Sequence, residues 1–501
     1  MPIEHILDGF LVAMQPGNLF YTFIGVFLGT IIGMLPGIGS SAGIALLIPI
    51  SFGMQPTTAL MMMAGVYYGA MYGDSLSAIL INTPGEGAAV MTTIEGYKMA
   101  QKGRAGAALA VSAWGSFIAG TISVVALTLV AVPLAQFALR FGPAEYFMLM
   151  LFAMTSVSAL SGTSRAKAVF AVGLGLALST VGIDLQTGES RFTLGIPELE
   201  DGLHFPAVVV GLFAVSEVLR SLERFHGGTH QVIRISGKLM LTREEWRRSL
   251  PPIFRGGVIG FVVGVLPGAG STIATILSYS VESRVSKHRH EFGTGAIEGV
   301  AGPESANNAC TAGAMVPLLS LGLPGSATTA VMLGVLVMYG IQPGPLLFAN
   351  QPQLVWGLVN SMYIGNVMLL ILNLPLIGLF VRVLYIPTGM LMALILVIAT
   401  LGSYGLNGSM ADVYVMLAAG VLGYLMDRAE VPIAPLVLAL VLGRNMEQSF
   451  RQAMTISDSS LEIFVRSGIS VGLLLACLAA MAVPILTAIA ARRRAPLRSN
   501  A

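Results

Sequence analysis

Gly29–Ser41 reads GTIIGMLPGIGSS and Gly260–Thr272 reads GFVVGVLPGAGST. The two stretches are identical at Gly29/Gly260, Gly33/Gly264, Leu35/Leu266, Pro36/Pro267, Gly37/Gly268, Gly39/Gly270 and Ser40/Ser271, with mostly conservative changes elsewhere. A second pair follows at a similar distance, Asn82-Thr83-Pro84-Gly85-Glu86 after the first copy and Gly322-Leu323-Pro324-Gly325-Ser326 after the second. The chain therefore reads as a duplication in which each half carries two apolar segments interrupted by Pro-Gly.

What surrounds these motifs sets their solvent. Of 501 residues, 55% are hydrophobic and 10% charged, whereas a water-soluble domain carries about 25% charged residues. Apolar stretches recur near residues 20–35, 57–72, 106–134, 146–160, 166–182, 205–222, 256–281, 310–340, 355–382, 386–402, 412–426 and 469–491. Each approaches the ~20 helical residues that cross ~30 Å of hydrocarbon. The expected fold is an all-α polytopic membrane protein with about 12 membrane segments and two structural repeats containing broken, re-entrant helices.

The breaks fall at membrane depth. Proline removes a backbone donor and clashes with the preceding turn, and clustered glycines release the backbone, so the helices must stop there. Unpaired backbone groups are costly in hydrocarbon and persist where they line a polar cavity or meet a ligand, so paired breaks in two halves point to a transport site. Half-helices starting at Ser40 and Ser271 would offer free N–H groups to a carboxylate, and unwound carbonyls could hold a cation. The candidates for substrate or cation binding are Pro36, Gly37, Gly39, Ser40, Ser41, Asn82, Thr83, Pro84, Gly85, Pro267, Gly268, Gly270, Ser271, Thr272, Pro324, Gly325 and Ser326. The competing reading is a tight helix-packing motif, because small residues let membrane helices approach closely.

Ionisable and amide residues within apolar segments add Asp74, Glu304, Asn307 and Asn308 as candidates for a coupling-ion or gating role, the alternative being helix-end caps. Glu86 joins them but ranks below the neutral hydroxyls and amides, because a fixed negative charge repels a carboxylate substrate.

Charge is sorted by loop. Residues 223–255 carry Arg224, Arg234, Lys238, Arg243, Arg247, Arg248 and Arg255 against Glu223, Glu244 and Glu245, and such an excess marks the cytoplasm. The tail, with Arg492, Arg493, Arg494 and Arg498, agrees. Lys98, Lys102, Arg104, Arg165 and Lys167 then fall inside, and the acidic loop 182–204, where Arg191 offsets its neighbours, falls outside. Arg284, Lys287 and Arg289 also vote for the cytoplasm only one apolar segment after the linker, so that segment should enter and return. The expected organisation is residues 1–222 as the first half, with breaks near 36–40 and 83–86, and 223–255 as a basic cytoplasmic linker. Residues 256–460 form the second half, with breaks near 267–271 and 323–326, and 461–501 a final membrane helix with a basic cytoplasmic tail.

Several function classes fall away. A net charge of +2 implies no nucleic-acid partner. Cys310 and Cys477 are isolated, which suggests neither a disulfide framework nor a metal site. Met1–Asn18 lacks the basic start and small-residue cleavage site of a signal peptide. Gly37-Ile38-Gly39-Ser40-Ser41-Ala42 matches a dinucleotide fingerprint only loosely and follows an apolar helix. Tyr72-Gly73-Asp74 lacks the second aspartate an intramembrane protease needs. His288 and His290 have no ligand companions, and no phosphate-binding Lys-Ser/Thr loop is present, so no cofactor is expected.

The repeated Leu-Pro-Gly-x-Gly-Ser motifs, together with Tyr67–Ser75, Asn82–Glu86 and Gly302-Pro303-Glu304-Ser305-Ala306-Asn307-Asn308, resemble the large membrane subunit of tripartite tricarboxylate transporters, the TctA family, over nearly the full length. The resemblance implies a non-enzymatic secondary transporter in the bacterial inner membrane, with its C-terminus cytoplasmic. It further implies a small four-helix membrane subunit and a periplasmic solute-binding protein as partners, a sodium or proton gradient as energy source, and a small organic anion as cargo. An inverted-repeat, elevator-like architecture is part of the same expectation.

Overall fold

The computed structural model describes residues 3–160, 164–184, 186–223, 233, 235 and 238–494. Arg224, Arg234 and Arg498, used above for orientation, lie outside the described residues. The chain is an all-α polytopic membrane protein: 79% is helical, and seven helices among the described residues are long and apolar enough to cross a membrane. These are Pro16–Met34, the continuous run Gly87–Ala138, Pro143–Leu160, Phe205–Glu223, Pro352–Asn373, Gly389–Asn407 and Met410–Arg428.

The remaining apolar stretches have other shapes. Residues 57–72 lie in Pro56–Ile81, buried along nearly its whole length. Residues 256–281 and 310–340 resolve into the broken pairs Arg243–Val265/Gly270–Val285 and Glu298–Leu321/Ala327–Met338. Helices enclosed by protein need not be as apolar as those facing lipid, which is why Asp74 and Ser75, or Glu304, Asn307 and Asn308, can sit in their middles. The segment 256–281 doubles back on itself. Arg255 on its first arm pairs with Glu282 on its second at 2.6 Å.

Two compact units are formed, residues 1–138 with 204–425, and residues 139–203 with 426–501. Each draws on both halves of the sequence. The smaller unit contains Pro143–Leu160, Arg165–Ser179, Ile433–Ile456 and Gly468–Arg494, with the rings of Phe147, Phe450 and Phe464 packed at 5.1–5.8 Å. Ile433–Ile456 was not among the expected segments, because its second half carries Arg444, Glu447 and Arg451. Those charges tie down a two-residue β-hairpin, Gly182–Ile183 with Ser190–Arg191. Arg191 bonds Glu447 at 2.9 Å, and Arg451 bonds Asp184 at 2.9 Å. The Gln186 backbone N–H and the Arg451 guanidinium together hold the Asp184 carboxyl below the usual carboxylate range. Arg191 thus anchors this loop, as its acidic surroundings suggested.

In the larger unit two helix pairs are interlocked through glycine. A Cβ placed on Gly25, Gly29 or Gly33 would overlap the carbonyls of Met62, Val66 and Ala70, and one on Gly65, Gly69 or Gly73 would press on those of Thr22, Val26 and Thr30. The same contact joins Arg243–Val265 to Glu298–Leu321, where Gly256, Gly260 and Gly264 meet the carbonyls of Gly302, Ala306 and Cys310. Close helix packing is therefore real here, and it lies in the helices leading to the breaks.

The basic segments gather together. Lys98 and Lys102 bond the carbonyls of Gly293 and Thr294, and Arg104 reaches Glu245 at 2.8 Å. Arg248 spans Glu291 and Glu298 at 2.6 and 2.8 Å. Buried Glu95, which the sequence reading did not single out, accepts from Tyr279 Oη at 2.8 Å and from the amides of Gly293, Gly295 and Ala296, holding the chain just before Glu298–Leu321.

Candidate functional site

Pro16–Met34 ends at Leu35, which is extended, and the next helix begins at Gly39. Between them Gly37 has φ +87°, and Gly39 itself has φ +65°. In the second half Arg243–Val265 ends at extended Leu266, Gly268 has φ +81° and Gly270 +65°. An L side chain in that left-handed region costs roughly 1–2 kcal/mol, so both glycines of each Pro-Gly-x-Gly are conformationally required. The half-helices start at Gly39 and Gly270, one residue before the expected Ser40 and Ser271.

Each turn is closed by the second break of its own half. Gly37 N–H donates to the Gly85 carbonyl at 3.1 Å, and Gly268 N–H donates to the Gly325 carbonyl at 3.0 Å. Pro56–Ile81 and Glu298–Leu321 stop in left-handed residues, Asn82 at φ 55° and Gly322 at φ 70°. From there Thr83-Pro84-Gly85 and Leu323-Pro324-Gly325 run to the turns. Gly85 and Gly325 press on the carbonyls of Gly33 and Gly264, leaving no room for a methyl without a shift.

The halves also meet. Ser40 Oγ lies 2.7 Å and Ser41 Oγ 3.1 Å from Thr328 Oγ1 in the second half, Tyr67 Oη lies 3.2 Å from Ser326 Oγ, and Gly87 abuts the Thr272 side chain. Residues from all four breaks therefore share one neighbourhood inside the larger unit. Ser326 is largely committed to its own helix, forming a capping box with Thr329. Thr83 Oγ1 returns to the Ile81 carbonyl at 3.2 Å, and Asn82 is exposed as a helix cap. No bond among the described residues draws Asn82 or Thr83 into the cluster.

The acidic candidates divide into two groups. Glu86, half-buried, accepts from Ser40 N–H at 3.3 Å and from Ser40 Oγ at 3.0 Å, so its carboxylate sits on the start of Gly39–Ser51. Its backbone N–H donates to Asp74 Oδ1 at 2.8 Å. Asp74 and Glu86 thus belong to the first break, and Glu86 is more central than its sequence ranking. Charge-repulsion reasoning weighed it against a substrate, whereas the chain uses it on its own helix. Glu304, fully buried, turns elsewhere, toward the hydroxyls of Ser75, Thr92 and Ser112. Asn307 donates to the Met71 carbonyl at 3.2 Å and Asn308 to Ser116 Oγ at 2.6 Å. This second group is a polar seam between four helices, set off from the breaks even though Asp74 and Ser75 are adjacent in sequence.

Further contributors escaped the sequence reading. Thr328 lies only two residues beyond Ser326, close enough to a break to have been included. Glu217 Oε1 occupies the space where a side chain on Gly37 would begin, and Glu217 pairs with Arg220 at 2.6 Å. That pair is visible in sequence only as an i,i+3 spacing in Ser216–Glu223. Thr92 and Ser112 carried no signal until their helices were brought around Glu304, and Ser75 stood only at the end of the Tyr67–Ser75 motif.

Comparison with known proteins adds a family. The family model described as "Tripartite tricarboxylate transporter TctA family" matches residues 19–438. An uncharacterized 52.8 kDa protein of the TAR-I ttuC' 3' region in Agrobacterium vitis is 46% identical over 491 residues, 98% of each chain. An uncharacterized protein of the TAR-II ttuC' 3' region in the same organism is 46% identical over 234 residues, 47% of this chain and 97% of its own length. No solved structure matches.

Proposed function

The chain belongs to the tripartite tricarboxylate transporter TctA family, and from that premise we propose that it is the large permease subunit of a binding-protein-dependent, cation-driven importer of a di- or tricarboxylate. The observation that carries this reading is the convergence of four broken-helix segments in one unit, each pair closed by the same Gly–Gly backbone bond, Gly37 to Gly85 and Gly268 to Gly325. Matching contacts in the two halves support an internal repeat. The broken backbone supplies oriented amides and carbonyls at membrane depth, the groups that let a site take an anion and a cation without fixed charges.

In this reading the small four-helix subunit and the periplasmic binding protein complete the carrier in the bacterial inner membrane. The basic segments around Lys98, Arg104, Arg248 and Arg284 face the cytoplasm together with the C-terminal tail. Substrate carboxylates meet the helix start at Gly270 and Ser271, with Thr272 as a neighbouring hydroxyl. A stand-alone or exporting carrier of the same fold is the alternative, and a hydrolase using Asp74 or Glu304 is a third reading with less to support it.

The test is reconstitution of the chain with its small partner in liposomes, with binding protein loaded with radiolabelled carboxylate outside. Uptake that needs both the binding protein and an inward sodium or proton gradient is expected. Uptake that persists without the binding protein would sink the tripartite part, and efflux from loaded vesicles would favour the exporter.

A further inference from the structure

The two breaks share a backbone and differ in charge. When Gly85 is set against Gly325, the residue equivalent to Asp74 is Ala314 and the residue equivalent to Glu86 is Ser326. The first break alone therefore gathers Asp74 and Glu86, beside the Glu217–Arg220 pair that abuts Gly37, and among the described residues no Lys, Arg or His lies within 4.0 Å of the Asp74 or Glu86 carboxylate. A carboxylate inside a membrane protein is strongly unfavourable unless a cation or proton neutralises it.

The local geometry shows where that neutralisation falls. Asp74 is fully buried, and while its Oδ1 takes the Glu86 N–H, no donor among the described residues reaches Oδ2. The Gly33 carbonyl has lost its usual helical partner, because Gly37 N–H turns to the Gly85 carbonyl instead. A Cβ on Gly85 would overlap this Gly33 oxygen and stand 3.2 Å from Asp74 Oδ1, so the two oxygens lie on the same side of a residue that has no side chain. Glu86 contributes a second negative charge from the next position. With Asp74 ionised these oxygens can only accept, which suits a hard cation better than a ligand that must itself accept a hydrogen bond.

We infer that the first break holds one sodium ion between the Asp74 carboxylate and the released Gly33 carbonyl, and that the second break, with Ala314 in place of the aspartate, holds none. Its meaning as a coupling site rests on the transport reading, but the binding itself does not need transport. The second break keeps the released carbonyl, at Gly264, and lacks the charge that would hold an ion there.

The experiment is equilibrium binding of radiolabelled sodium to the purified full-length chain in detergent, with choline keeping ionic strength constant and potassium as competitor, in the absence of substrate, gradient and partners. Saturable binding that potassium does not displace is expected, with affinity lowered at least about 10-fold in Asp74→Asn, as for loss of a group that holds a metal. No saturable binding by the unaltered chain, or unchanged affinity in monodisperse Asp74→Asn, would overturn the site. If that variant does not stay monodisperse, amide exchange at Glu86 in the unaltered chain replaces it. Slowing by sodium and not by potassium supports the site, and equal rates overturn it. Sodium binding without carboxylate uptake would leave the site standing and remove the transporter reading, whereas uptake without sodium binding would do the reverse.

Discussion

The first and second Leu-Pro-Gly-x-Gly-Ser turns have the same φ pattern and the same closing bond, yet their surroundings are nearly opposite. Of the thirteen residues of Gly39–Ser51, eleven are buried, whereas only four of the sixteen in Gly270–Val285 are. The first half-helix has its opening amide and hydroxyl at Ser40 occupied by Glu86. In the second no side-chain bond among the described residues reaches Ser271, and Thr272 is exposed. A duplicated motif thus preserves what its backbone requires and lets side chains diverge, so equal turns need not hold equal ligands.

The most severe way to break this comparison is to fill the glycines where the segments cross. Gly85→Ala would drive a methyl into the Gly33 carbonyl, while Gly325→Ala would meet the Gly264 carbonyl at 2.7 Å. Uptake in liposomes should fall about 100-fold in Gly85→Ala, the cost of an ångström-scale misplacement, and less in Gly325→Ala, with both still inserting. Equal losses would erase the asymmetry. Next come Gly37→Ala and Gly268→Ala. Their left-handed φ alone costs about 1–2 kcal/mol, roughly tenfold in rate if it falls on the working state. Normal uptake at normal expression would remove the glycines from the site.

Smaller effects sharpen the contrast in side chains. Glu86→Ala removes charge-assisted bonds to Ser40 and should lower thermal stability in detergent by at most about 2 kcal/mol, given its partial exposure. Ser326→Ala removes a cap and should cost about 1 kcal/mol. A larger loss in Ser326→Ala would mean that Glu86 is not the anchor of the first turn. The mildest probe is labelling. A cysteine at Thr272 should react with a water-soluble maleimide faster than one at Ser41, which is 6% exposed. The reverse order would show that the open turn is the first.

The breaks were legible because proline and glycine act on their own backbone, and thirteen aligned residues suffice to show the repeat. The bond from Gly37 to Gly85 was not, since nothing in either segment names the other. Glu86 was discounted because a carboxylate was weighed against a free substrate; its docking on Ser40 depends on a crossing the sequence does not display. Hydropathy found the long apolar helices and passed over Ile433–Ile456, whose polar half faces its own hairpin. It also could not separate Asp74 from Glu304, because adjacent residues Asp74 and Ser75 point to different neighbours.

The glycine seam between Pro16–Met34 and Pro56–Ile81 works as a key in a slot. Gly25, Gly29 and Gly33 on one helix and Gly65, Gly69 and Gly73 on the other seat backbone against backbone at four-residue intervals. A slip of one turn, about 5.4 Å, would bring Tyr21 to the seat of Gly25 or, in the opposite sense, Met61 to that of Gly65, where no Cβ fits. The two helices are therefore barred from shearing, and their tips, with Gly37 and Gly85 bonded across them, travel as one tile. Any displacement in this part of the protein must open seams elsewhere and leave this one shut.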